Sequence, residues 1–119
     1  MSYDIYLTDP VSGKTLETDV PHQIRGGTYA EGGTKELWIN ITYNYSQHFQ
    51  WAFGEKDGIE ILEGLSGADA IPLLQEAIDK LADDVSDNYW EATQGNAKVA
   101  LSGLLALCKM RPDGVVKVM

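Results

Sequence analysis

From Lys35 to Tyr45 the chain alternates without a break, with Leu37, Ile39, Ile41, Tyr43 and Tyr45 at odd positions and Trp38, Asn40, Thr42 and Asn44 at even ones. A strand sends successive side chains to opposite faces, so this register makes one apolar face backed by one mostly polar face. β-Branched and aromatic side chains suit such a pleated surface. The stretch is expected to be the central strand of a sheet, and the rest of the chain must supply what covers its odd-numbered face.

Two further strands precede it. Ser2–Thr8 alternates in the same way, with Tyr3, Ile5 and Leu7 on one side and Asp4, Tyr6 and Thr8 on the other. Asp9-Pro10-Val11-Ser12-Gly13-Lys14 carries the residues of a turn, and Thr15–Thr18 would return as the second arm of a hairpin. Between there and the central strand the sequence Gly26-Gly27-Thr28 recurs as Gly32-Gly33-Thr34. It reads either as two tight turns or as a loop whose exposed N–H groups form a nest for an anion. It is neither a dinucleotide fingerprint nor a P-loop.

Helical signals follow. Ser46 is a candidate N-cap, Phe49, Ala52 and Phe53 share one helical face, and Gly54 is a stop, so Gln47–Phe53 predicts a short helix. Ile59–Leu65 suits a helical turn or a short strand, the former preferred. Ser66 or Asp69 opens a longer helix in which Pro72 is expected to fall in the first turn. Leu74, Ile78 and Leu81 line one side of it, with Leu73 and Ala77 beside them. Ser86 or Asp87 would cap a short helical piece carrying Tyr89 and Trp90. Gly95–Met110 keeps an apolar stripe through Ala97, Ala100, Leu101, Leu104, Leu105 and Cys108, and Arg111-Pro112-Asp113-Gly114 ends it. Val115–Met119 is an apolar tail that could add an edge strand. Strands first and helices after argue for one α+β domain over residues 1–119. Its small antiparallel sheet of three strands, with a short fourth as an option, would pack against three or four helices.

Charge narrows the partners. The formal net charge is −9, and residues 55–94 alone hold eleven acids and two bases. The imbalance therefore lies in one middle segment, which repels phosphate and favours basic partners, so direct nucleic-acid binding is disfavoured. The lone Cys108 cannot form an internal disulfide. Neither a signal peptide nor a membrane span is legible, and a reducing, cytoplasmic setting fits.

The residues do not assemble into a catalytic constellation. Cys108 lies on the apolar stripe of the last helix, where a core thiol is the simpler reading than a nucleophile. His22 and His48 are too isolated for a zinc site, and Asp83, Asp84 and Asp87 match no calcium-loop spacing. No enzyme activity and no cofactor are expected. Three binding surfaces are candidates. The first is the even-numbered sheet face, with Tyr6, Trp38, Asn40, Thr42 and Asn44 mixing aromatic area with hydrogen-bonding groups. The second is an anion pocket from His22, Arg25, Gly26, Gly27 and Thr28, with the guanidinium and loop N–H groups as donors. The third is an acidic surface from Glu60, Glu63, Glu76, Asp79, Asp83, Asp84 and Glu91.

The run Met-Ser-Tyr-Asp-Ile-Tyr-Leu-Thr-Asp-Pro-Val, with Arg25-Gly-Gly-Thr-Tyr29, Gly32-Gly-Thr34, Asn40-Ile-Thr-Tyr-Asn-Tyr45, Asn96-Ala-Lys98 and Arg111-Pro-Asp-Gly114, resembles small proteins of bacteriophages and prophages that have no assigned activity. The Val115–Met119 ending departs from the acidic, Trp-containing tail of that family. The resemblance implies a bacterial host cell as the setting and supplies no catalytic residues. Together with the charge it suggests an accessory protein that inhibits a host defence or regulatory factor by stoichiometric binding, its partner a host protein with a basic surface. The alternative is a module that senses or sequesters a small anionic ligand, such as a nucleotide, at the Gly-rich loop.

Overall fold

The first strand, β1 (Ser2–Thr8), is the middle of the main sheet in the computed structural model, which describes residues 2–24, 27 and 32–119. It pairs antiparallel with β4 (Trp38–Thr42), placing Ile5 opposite Ile39 and Tyr3 opposite Ile41. On its other side it pairs antiparallel with β5 (Val115–Val118), placing Leu7 opposite Val116. These cross-strand pairs put like side chains on one face, which is buried from Tyr3 to Val116. The apolar tail is thus a strand, as its composition suggested.

The alternating stretch 35–45 is corrected on two points. It lies at the edge of the sheet rather than at its centre, and it is three elements rather than one strand. Thr34–Glu36 forms β3, which pairs antiparallel with β2 (Glu17–His22) in a separate two-stranded sheet. Leu37 joins the two sheets, donating its N–H to the Leu16 carbonyl and accepting from the Leu7 N–H, each at 2.9 Å. After β4 the Thr42 hydroxyl accepts the Asn44 N–H, and Tyr43–Tyr45 turns as a 3-10 helix. The change of period exposes Tyr43 and returns Tyr45 to the core.

The turn after β1 forms as its residues suggest, with the Asp9 carboxylate accepting the Val11 and Ser12 N–H groups and Gly13 at φ 74°. Its second arm is brief. Thr15 bridges Thr8 and Leu16 bonds Leu7, after which the chain leaves β1 to form β2. Both outer edges of the main sheet are occupied. Gly27 donates to Asn40 and the Tyr89 hydroxyl accepts from Thr42 along β4, while Gly64 and Leu65 bond Val116 of β5. Such occupation removes the free edge on which strands of other chains would grow.

Among the described residues three α-helices cover the apolar face. α1 (Ser46–Phe53) ends at Gly54 in the left-handed conformation, φ 70°. A 3-10 segment, Gly58–Leu62, follows. α2 (Gly67–Lys80) is capped by the Ser66 hydroxyl, which accepts the Asp69 N–H at 3.0 Å. Pro72 therefore falls in the second turn and not the first. The carbonyl it leaves without an N–H partner is that of Ala68, at the exposed start of the helix. α3 (Gln94–Met110) buries Ala97, Ala100, Leu101, Leu104, Leu107 and Cys108. Gly103 allows its approach to β4: a Cβ there would stand 3.0 Å from the Ile39 Cδ1. α2 and α3 run antiparallel, since Gly67 lies against Arg111 and Pro112 while Lys98 reaches Leu81. The mixed, antiparallel architecture is the α+β class expected. Among the described residues no helix is long and apolar enough to cross a membrane.

Candidate functional site

Between α2 and α3 the chain forms no helix, contrary to the short one expected from Ser86 or Asp87. Residues 81–93 are an irregular strap. Its own side chains take the backbone N–H groups that a helix would use: Ser86 Oγ accepts from Asn88, and Asn88 Oδ1 accepts from Trp90.

The first turn of α3 fastens the strap. Asp84 Oδ1 accepts the Gly95 N–H at 2.9 Å, and a Cβ on Gly95 would lie 2.5 Å from the Val85 nitrogen, so only glycine fits. Asn96, 6% exposed, holds three points at once. Its Nδ2 donates to the Asn88 and Glu91 carbonyls at 3.0 and 2.9 Å, and its Oδ1 accepts the Ser86 N–H at 2.9 Å. Lys98 pairs with Asp83 at 2.8 Å and Gln94 accepts from Ala82. Asn96 is not among the candidate binding residues read from the sequence, where it appears only in the Asn96-Ala-Lys98 piece of the resemblance. The signal available was a polar residue at the start of an apolar helix stripe, three after Thr93.

The far end of the strap lies on β4 and the start of α1. The Tyr89 hydroxyl accepts the Thr42 N–H at 2.9 Å, and Tyr45 donates its hydroxyl to the Tyr89 carbonyl. The Tyr45 and Tyr89 rings meet edge to face at 5.6 Å, as do Tyr89 and Trp90 at 4.9 Å. Asn44 donates to the Trp90 carbonyl and His48 to that of Ala92, both at 2.8 Å. Burial, then the neighbouring Tyr89, push the Tyr45 phenol up to about 12, and burial raises that of Tyr89 as well. Both stay neutral hydrogen-bonding groups at ordinary pH.

This covering corrects the expected open sheet face. Asn40 and Thr42 are 8% and 2% exposed, Asn40 donating to Ser2 and Asp4 at 2.7 and 2.8 Å. Gly27 sits against the same place, where a Cβ would meet Tyr89 at 2.8 Å and both Asn40 and Trp90 at 3.2 Å. Tyr6 and Trp38 stack at 6.2 Å and stay half-buried, and Asn44 is tied to the strap. The five residues do not form one accessible surface.

Of the expected anion pocket, Arg25, Gly26 and Thr28 lie outside the described residues. His22 is part of the β2–β3 sheet: its Nδ1 accepts the Ile24 N–H, so the proton is on Nε2, which donates to the Glu36 carbonyl at 2.6 Å. The Gly27 N–H is bound to Asn40. Neither group has a donor left for an anion.

The acids divide into two sets. Asp83, Asp84, Glu91 and Glu63 hold the structure: Asp83 and Asp84 fasten the strap, Glu91 accepts the Ser86 hydroxyl, and Glu63 accepts the Val118 N–H. Glu60, Glu76 and Asp79 are exposed and, among the described residues, join no ion pair. Cys108 is fully buried and its thiol is pushed up to about 11, which suits a core residue. Among the described residues no group of three His, Cys, Asp or Glu side chains is placed to hold a metal ion.

Between the strap and α3 a cleft of about 170 Å³ remains open. Tyr45 and Asn96 form its floor, Val85, Ser86, Asp87 and Tyr89 its strap side, and Val99 and Ala100 its helix side. Val85 and Val99 are more than half exposed at its mouth, and Trp90 stands exposed beside Tyr89. Comparison with protein-family models, curated proteins and solved structures finds no match for the chain.

Proposed function

We propose that this protein acts without catalysis, by stoichiometric binding of a partner protein that presents a basic surface. The exposed acids of α2 and of the 3-10 segment before it form the docking face. In the phage setting suggested by the sequence resemblance, the partner is a host defence or regulatory factor and the outcome is inhibition.

One observation supports this reading above the others. Glu76 and Asp79 are exposed neighbours on one side of α2, Asp69 lies two turns before Glu76 on that side, and among the described residues none is in an ion pair. Lys80 is the only base of the helix. Asp69 complements the helix N-terminus, while Glu76 and Asp79 lie mid-helix and beyond, where negative charge gains nothing from the helix dipole. A segment carrying eleven acids and two bases repels itself, and a basic partner relieves that repulsion.

Replacing Glu76 with Gln and Asp79 with Asn should slow association with a basic partner captured from host lysate and flatten its salt dependence, since exposed charges act chiefly on the encounter rate. Folding stability should hold or rise. Association indifferent to both the substitutions and the ionic strength would refute the acidic-face reading.

A further inference from the structure

We propose that the cleft between the strap and α3 receives one lysine or arginine side chain of the basic partner, a step that rests on the acidic-face reading above. The size of the cleft sets the occupant. Sites for drug-sized ligands run from about 300 Å³ upward. At about 170 Å³ this one is too small for a nucleotide and suits a single long side chain.

The walls select its chemistry. Val85, Val99 and Ala100 supply apolar contact for an aliphatic stem, and the Tyr89 ring flanks it. Lysine and arginine bury such stems while keeping the charged head near water. The polar groups of the floor are already engaged, Tyr45 with the Tyr89 carbonyl and Asn96 with the strap. Asp87 is the one charged residue on the wall, it is exposed, and its carboxylate has no hydrogen-bond partner among the described residues. An apolar slot with one acidic residue, Asp87, on its wall attracts a cation on an apolar stem. An anion meets a segment of net charge −9, and a second copy of this chain brings the same charge with it.

The test uses the intact protein with ¹³C-labelled methyl groups. The probes are Nα-acetyl-arginine methylamide, its norleucine counterpart, which keeps the stem and lacks the charge, and an oligo-arginine peptide. The arginine probe should shift the Val85, Val99 and Ala100 methyl signals saturably, helped by the ring current of Tyr89, and norleucine should do so more weakly. Asp87→Asn should weaken the arginine probe about tenfold, the loss of one charge-assisted hydrogen bond in a half-open site. Equal shifts from arginine and norleucine, or no effect of Asp87→Asn, would overturn the cation pocket. If oligo-arginine binds in a salt-dependent manner that Glu76→Gln and Asp79→Asn reduce, yet the three methyls stay still, the cleft inference fails and the acidic-face reading stands. If the methyls shift as expected while oligo-arginine binding ignores those two substitutions and the salt, the cleft stands and the α2 face fails.

Discussion

Asn96→Ala should release the strap while leaving the core folded. The side chain makes three hydrogen bonds of 2.9 to 3.0 Å to Ser86, Asn88 and Glu91. At about 1 kcal/mol net each, their loss totals about 3 kcal/mol. The partners are backbone groups of a segment whose Asn88 and Glu91 are exposed, so water can take up part of what is lost. The expected cost is therefore about 2 kcal/mol, toward the lower end of that range. It should appear in two places: a lower urea midpoint, and faster hydrogen exchange at the Ser86 amide, whose acceptor is removed. Amides of β1, in the middle of the sheet, should lose protection only to the extent that global stability falls. A loss below about 0.5 kcal/mol with the Ser86 amide still protected would show that Tyr89 packing, rather than Asn96, holds the strap.

Leu101→Ala, at a fully buried position of α3, should cost about 2–5 kcal/mol in urea unfolding, and a negligible loss would remove that helix stripe from the core. Tyr45 ionises near 10 when exposed and at about 12 in the fold, so the unfolded chain loses this proton first as pH rises. Stability should be intact below pH 10 and decline between about 10 and 12, and Tyr45→Phe should flatten that decline in a pH series of thermal unfolding. Cys108 should be inert to an aromatic disulfide reagent in the native protein and react fully in denaturant; rapid native reaction would show that α3 opens.

Local residue chemistry determined much of this protein on its own. The period-two pattern of Ser2–Thr8 and 38–42 assigns those strands and the apolar face of each, because side-chain alternation is a property of the backbone alone. Gly54, the apolar stripe of α3 and the Arg111–Gly114 stop placed helix boundaries to within a residue or two, and Ser66 was one of the two starts offered for α2, since caps act within one turn. The charge imbalance of 55–94 is likewise read directly from the residues. What only the tertiary structure decided is which parts of these elements meet. The alternation of 35–45 continues across Leu37 although the strands on either side belong to different sheets, because periodicity carries no information about the neighbour. β1 becomes the central strand through pairing with a tail more than a hundred residues away. The even-numbered face reads as open in the sequence, yet a strap held by Asn96 and Gly95 covers Asn40 and Thr42 and leaves the cleft beside it. A polar side chain is equally at home in water or in a buried, fully bonded network, and only its partners in space choose between them.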